Sequence, residues 1–154
     1  MTVSVDTNVL LELLEADAAS RRRAEDDLNA LEDEQLIICE AVFAELANQF
    51  PDIGALEEFL GDTGITFVPS DPQVLFLAGR LWVNYARTRP AGLVCSECGR
   101  VTAATCGYCD SLLSIRQRVL PDFYVGAHAL AYADRLLTRD KRHFQTYFPE
   151  VPLV

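Results

Sequence analysis

The sequence predicts a single α/β domain built on a central parallel sheet with helices on both faces. Three observations carry this expectation. Short apolar runs of strand length alternate with longer segments of helical spacing. The first run, VSV at 3–5, stops at Asp6, as a buried strand stops at its rim. Half of the 154 residues are hydrophobic, enough for one domain with a real core and too many for a disordered chain.

Each element follows in order. After the first strand, TNVLLELLEA carries Val9, Leu10, Leu13 and Leu14 at helical spacing. SRRRAEDDLNALED reads as a solvated helix with a thin apolar seam at Ala24, Leu28 and Leu31. QLIIC at 35–39 is the second strand, EAVFAELANQF a third helix stopped by Pro51, and DIGALEEFLGDTG a fourth ended by glycines. ITFV at 65–68 is the third strand. In SDPQVLFLAGRLWVNYARTRP, Ser70 or Asp71 caps a helix, Pro72 fits its first turn and Pro90 ends it. Its apolar face includes Val74, Leu75, Leu77, Ala78, Leu81, Trp82 and Tyr85. LPDFYVGAHALAYA is a helix beginning near Asp122, RLLT a fourth strand, RDKRHFQTYF a short helical turn and VPLV a last edge strand.

No internal repeat or linker divides the chain, so 1–154 reads as one domain. Residues 93–110, LVCSECGRVTAATCGYCD, form the one candidate insertion. No apolar run approaches a membrane span and the N-terminus lacks a basic leader, so a soluble, unprocessed, cytoplasmic protein is expected. Net charge is −10, which by itself argues against a polyanionic partner. The distribution points the other way. From Arg80 to Arg142 the chain holds ten basic and five acidic residues, and Lys141 is its only lysine beside twelve arginines. A nucleic acid could therefore dock on the second half.

Four acids fall where ligands gather in open α/β sheets, beyond the carboxyl ends of the strands. Asp6 ends the first strand, Glu45 lies one turn into the helix after the second, Asp122 opens a helix, and Asp140 follows the fourth strand. Any one of them alone could be a helix cap or a solvated charge. Their surroundings argue otherwise. SVDTNVLLEL, ICEAVFAEL and VLPDFYVGAHAL are otherwise apolar, and no Arg or Lys lies within ten residues of Asp6 or Glu45. Acids so placed are normally paired or hold metal. Clustered carboxylates repel unless a cation neutralises them, and hard oxygen ligands select Mg²⁺ or Mn²⁺. Such a site can activate water and support in-line displacement at a phosphodiester.

VDTNVLLELL, ICEAVFAEL and LPDFYVGAHALAYADRLLTRDKRHF together resemble the PIN-domain ribonucleases, especially the VapC-type toxin branch. The resemblance covers most of the chain outside 90–118. It implies a flavodoxin-like three-layer α/β/α domain and a Mg²⁺- or Mn²⁺-dependent endoribonuclease with an acidic pocket. By position, Asp6 is the first family acid and Asn8 completes the D-x-N element. Glu45 is the helix glutamate, Asp122 the acid before FYVGAHAL, and Asp140 the acid of the T-x-D ending with Thr138 as its companion. Asp6, Glu45 and Asp122 would hold metal, one or two ions being compatible with the family. Asp140 would hold a second or orient the attacking water. The toxin branch also implies an RNA substrate, an antitoxin partner and a homodimer. Two departures stand out. Phe123, Tyr124 and His128 are larger than the small residues usual there, and His128 reads as a packed core residue. The cysteine insert is absent from typical toxin members, and in ribosomal-RNA-processing members a zinc ribbon follows the domain instead of interrupting it.

In that insert, Cys95-x2-Cys98 and Cys106-x2-Cys109 are two knuckle pairs eased by Gly99 and Gly107. Four thiolates suit a closed, structural Zn²⁺ site. Iron in a rubredoxin-like site and two disulfides are the rivals. Arg87, Arg89, Arg100, Arg116 and Arg118 nearby would contact phosphates, or else be solvated loop charges. Arg21, Arg22 and Arg23 face acids in their own helix, and Cys39 reads as core. The competing class is a non-catalytic, zinc-containing RNA- or protein-binding module. A phosphoaspartate receiver would need paired acids after its first strand, and a haloacid-dehalogenase-type phosphatase would need D-x-D where this chain has Asp6-Thr7-Asn8.

Overall fold

The computed structural model describes residues 1–88, 92–94, 100–113 and 120–154. The chain runs β1 (Thr2–Val5), α1 (Thr7–Leu14), α2 (Ala18–Asn29), β2 (Gln35–Ile38) and α3 (Glu40–Leu46), which ends in a 3-10 turn at Ala47–Gln49. It continues through α4 (Ile53–Asp62), β3 (Ile65–Phe67), α5 (Pro72–Thr88), β4 (Leu93–Val94) and β5 (Val101–Thr102) to α6 (Leu120–Tyr132), β6 (Arg135–Leu137) and α7 (Lys141–Tyr147).

β3, β2, β1 and β6 form one parallel sheet in that order. Consecutive strand residues are buried: Val3, Ser4 and Val5 in β1, and Leu36, Ile37 and Ile38 in β2. Successive strand side chains point to opposite faces, so both faces are covered. The strand order reverses direction at β1. The chain steps outward from β1 to β2 to β3, then returns to lay β6 on the other side of β1. The crevice between the carboxyl ends of β1 and β6 is thus the topological switch point, where α/β folds place their ligands.

The elements follow the expected pattern with two corrections. In α5 the packed face is Val74 and Ala78, flanked by half-buried Leu81, Trp82 and Tyr85. Leu75 and Leu77 were expected on that face but are 38% and 36% exposed, because they stand on either side of the stripe that meets α6. The C-terminal VPLV does not form a full strand. It makes one parallel bridge, Leu136 to Leu153, secured by Leu136 N–H to Pro152 O and Val154 N–H to Leu136 O, both 2.9 Å.

α5 and α6 run antiparallel. Asp71 caps α5 by accepting from the N–H groups of Gln73 and Val74, and also accepts from the hydroxyl of Tyr132 at the far end of α6. At the other end Tyr85 packs on Phe123, ring centroids 5.6 Å apart. Phe123 is fully buried and also touches the rings of His143, Tyr147 and Phe148. Its size is therefore used to seat α7 against α6. Gly126 belongs to the same contact. A Cβ there would lie 2.2 Å from the Phe148 ring, so the aromatic ring packs directly on helix backbone.

Between α5 and α6, β4 and β5 pair antiparallel, and a further bridge joins Thr105 to Leu112. The second cysteine pair occupies the turn this bridge closes. Cys106 N–H donates to Ser111 O and Asp110 N–H donates to Cys106 O, both at 2.9 Å, while Asp110 takes a left-handed φ of 56°. Cys95, Cys98, Arg89, Arg116 and Arg118 lie outside the described residues. Cys39 is buried at the end of β2, and burial pushes its thiol up to about 11, which leaves it inert. His128 is also fully buried, with Nε2 2.8 Å from the Val68 carbonyl. Among the described residues no helix is long and apolar enough to cross a membrane.

Candidate active site

Asp6 stands one residue past β1. Its N–H donates to Leu137 O at 3.0 Å and extends the β1–β6 ladder, which fixes its backbone at the switch point. It occupies the N-cap position of α1, yet its side chain makes no capping bond. The carboxylate instead receives Thr138 Oγ1 at 2.6 Å and Asn8 Nδ2 at 2.7 Å, both on Oδ2. Asn8 is brought round by the first turn of α1, and Thr138 by the end of β6. Asp6 is only 5% exposed.

Glu45 arrives from α3. Thr7 Oγ1 donates to its Oε2 at 2.5 Å, so neighbouring residues of the VDTN stretch hold two different acids. Asp122 lies in the first turn of α6, half-buried. Together Asp6, Glu45 and Asp122 line a cavity of about 340 Å³, completed by Thr7, Asn8 and Leu11. Asp140 is not part of that lining. It is exposed and caps α7, with Oδ1 accepting the His143 N–H at 3.0 Å, while its own N–H donates to Thr138 Oγ1 at 3.0 Å. A larger hollow of about 470 Å³ lies near the amino end of β2 and just before β3, among Leu28, Leu31, Leu36 and Gly64. Volume alone does not make it the better candidate, since the convergent, perturbed acids stand at the switch point.

The electrostatics of the pocket are those of uncompensated carboxylates. Burial, with a contribution from the Glu45 charge, raises Asp6 to about 6 even though Thr138, Asn8 and the Thr7 N–H favour its ionised form. Burial raises Asp122 to about 7, helped by repulsion from Asp6, Glu45 and Asp140. Asp140 is thus close enough to act on Asp122 through charge. All donors in the pocket are oxygen, the chemistry of Mg²⁺ and Mn²⁺ sites. Burial is the main cause of both raised values; a divalent cation would offset the smaller, repulsive part, and the oxygen donors are of the type such an ion takes. Among the described residues no group of three or more His, Cys, Asp or Glu side chains is gathered closely enough to hold a metal ion; Asp6, Glu45 and Asp122 line the cavity apart from one another.

Sequence reasoning missed a second layer of contacts. Glu12 is 8% exposed and is held by Arg23 of α2 and by Arg139. Arg139 also pairs with Asp27 at 2.5 Å, and its N–H donates to Asn8 Oδ1 at 3.0 Å. A charged residue inside the apolar run LLELLE was the available signal for Glu12. Of the arginines expected to face phosphate, Arg87 and Arg100 are exposed on the described surface. Cys106 and Cys109 are free thiols, and Cys109 Sγ lies 3.3 Å from Ser111 Oγ. The Ser111 hydroxyl, then its N–H, then Cys106 hold the Cys109 thiol below its ordinary value.

The fold and site define a doubly wound α/β domain with a carboxylate pocket at its switch point. Residues 3–149 match the family model for the PIN domain, and the chain belongs to that family. Solved structures share the fold at low identity. VapBC2 from Rickettsia felis, solved bound to a DNA fragment from its promoter, matches at 17% identity and a TM-score of 0.60, covering 100% of this chain and 98% of that one. VapBC-1 from nontypeable Haemophilus influenzae matches at 18% and 0.61, covering 100% and 97%. FitAcB from Neisseria gonorrhoeae matches at 20% and 0.54, covering 98% and 95%. No curated protein matches the chain in sequence.

Proposed function

We propose that the protein is a Mg²⁺- or Mn²⁺-dependent endoribonuclease that hydrolyses RNA phosphodiester bonds, acting as the toxin of a toxin–antitoxin pair or in RNA processing. The observation that carries this reading is the convergence of Asp6, Glu45 and Asp122 on one cavity, with Asp6 and Asp122 raised to about 6 and 7. Membership of the PIN family supports it. Asp6, Glu45 and Asp122 would hold the cation, and Asp140 would hold a second one or orient water. When bound, such a cation would supply Lewis-acid charge to the phosphodiester and to the attacking water. Asn8 and Thr138 fix the Asp6 carboxylate, and Thr7 fixes Glu45.

Arg87 and Arg100, with Arg89, Arg116 and Arg118, would contact RNA phosphates. Cys95, Cys98, Cys106 and Cys109 would bind a structural Zn²⁺. Lowering of the Cys109 thiol by the Ser111 hydroxyl, the Ser111 N–H and Cys106 is in keeping with a thiolate ligand. An antitoxin and a second copy of the chain are its expected partners, since the fold neighbours are VapBC and FitAcB structures.

Cleavage of a single-stranded RNA in Mn²⁺ tests the central reading. Asp6→Asn and Asp122→Asn should each abolish it in folded protein. Full cleavage by either variant would remove the pocket from the reaction. RNA binding by the wild type with no cleavage in either metal would favour the binding-module alternative.

A further inference from the structure

Arg139 sits between Thr138 and Asp140, but its side chain turns away from both. Its Nε donates to Glu12 Oε2 at 2.9 Å, and its Nη2 lies 2.7 Å from the same oxygen without being aligned to donate to it. Its Nη1 pairs with Asp27 of α2 at 2.5 Å. Arg23, also on α2, takes the other Glu12 oxygen. Hydrogen bonds and charge from Arg139 and Arg23 overcome the effect of burial on Glu12 and hold its carboxyl below the usual value.

The backbone of Arg139 reaches the same helix at a second point, where its N–H donates to Asn8 Oδ1 at 3.0 Å. Asn8 and Glu12 are four residues apart on α1, so they lie on one face. One residue therefore grips α1 twice, by its backbone at Asn8 and by its guanidinium one turn further on. The first grip orients the Asn8 amide so that Nδ2 faces Asp6 Oδ2 at 2.7 Å. The strand end that carries the grip also delivers Thr138, whose hydroxyl meets the same oxygen at 2.6 Å. With Oδ2 held by two donors, the plane of the carboxylate is set.

We propose that Arg139, clamped by Glu12 and Asp27, is the positioning residue for Asp6, acting through Asn8 and Thr138. The proposal rests on the reading of Asp6 as a metal-holding carboxylate. A cluster of part-buried charges is a poor way to gain stability alone, because desolvation offsets much of the attraction and well-packed apolar groups often do as well. The clamp instead fixes the register of the β6–α7 turn on α1. The second layer around a metal typically sets affinity or activity by about 10–100-fold.

The test measures Mn²⁺ affinity by calorimetry, normalised to the folded fraction, together with kcat and KM for a single-stranded RNA. The variants are Arg139→Ala, Arg139→Lys and the apolar pair Glu12→Leu with Arg139→Met, which tolerates loss of both charges. Arg21→Ala serves as a control, since Arg21 bonds only the Glu15 carbonyl among these contacts. The expected result is Mn²⁺ affinity about 10–100-fold weaker in Arg139→Ala and in the apolar pair, with kcat reduced and KM for RNA unchanged. Arg139→Lys, which cannot grip Glu12 and Asp27 together, should fall between. Folded variants that bind Mn²⁺ like the wild type would overturn the proposal. So would a rise in KM with metal affinity intact, which would make Arg139 an RNA contact. A wild-type chain that binds no Mn²⁺ would remove the metal reading itself, an outcome distinct from failure of the clamp.

Discussion

Thr138 Oγ1 donates to Asp6 Oδ2 at 2.6 Å and so joins the ends of β6 and β1 across 132 residues of sequence. This bond favours the ionised form of a carboxylate that burial works to neutralise. Thr138→Val keeps the shape and removes the donor. It should raise Asp6 above about 6, move the acidic limb of the rate profile to higher pH and cost roughly 1.5–3 kcal/mol of stability, as loss of a hydrogen bond to a charged group does. An unshifted profile in folded protein would count against the assignment.

The raised acids set the pH dependence of the metal-free protein. Asp6 and Asp122 bind protons more tightly folded than unfolded, at about 6 and 7 against an ordinary 3.8. Folded chains therefore hold more protons than unfolded ones across that interval, and their contribution to stability falls as pH rises from about 4 to about 7. Metal-free protein should melt at a lower temperature at pH 7.5 than at pH 5. Asp122→Asn, which removes one repelling charge, should raise the pH 7.5 Tm by roughly 2–8 °C. A Tm that climbs from pH 5 to pH 7.5 would refute this account.

Binding of Mn²⁺ should release protons for the same reason. At pH 6.5 Asp122, with its value near 7, is largely protonated and must ionise to serve as a ligand. Calorimetry in buffers of different ionisation enthalpy should show release at pH 6.5 that disappears by pH 8.5. Heats independent of buffer would mean that Asp122 does not ligate.

Gly126→Ala tests the seat of α6. In a free helix the change would help by about 0.8–1 kcal/mol. Here the added methyl would meet the Phe148 ring, so a net loss of roughly 1–3 kcal/mol is expected from overpacking. Phe148→Leu in the same background should recover part of the loss, as urea melts would register.

The cysteine insert is tested by metal content. Protein expressed with zinc should carry about one Zn²⁺ per chain, and Cys109→Ser should lose it while keeping the sheet intact by circular dichroism. Zinc content unchanged by that substitution would exclude Cys109 as a ligand.

Much of the fold was legible because it rests on local signals. VSV, QLIIC and ITFV are short and apolar, and Asp71 with Pro72 marks the start of α5 as plainly as a sequence can. The acids were legible as charges interrupting apolar runs, and the cavity gathers three of the four. Asp140 reads equally well as a cap and as a ligand, and the structure gives it the cap directly and the pocket only through charge. What sequence could not supply is the partner of a residue far along the chain. No base stands near Asp6 in sequence, yet the fold brings Arg139 to Glu12 from 127 residues away. The exposed Leu75 and Leu77 escaped for a related reason: a helix with apolar residues on several sides does not reveal which stripe another helix will cover.

The strand order also bears on when the pocket can be assembled during synthesis. β1 is made first but lies inside the sheet, and its neighbour β6 begins only at Arg135. A nascent chain still short of that point holds Asp6, Glu45 and Asp122 without Thr138 or Arg139 to set them, and β1 without one of its two flanking strands. Distant pairings of this kind form late. The β1–β6 edge, and the Asp6 contacts it carries, can therefore close only once the last sheet strand has emerged.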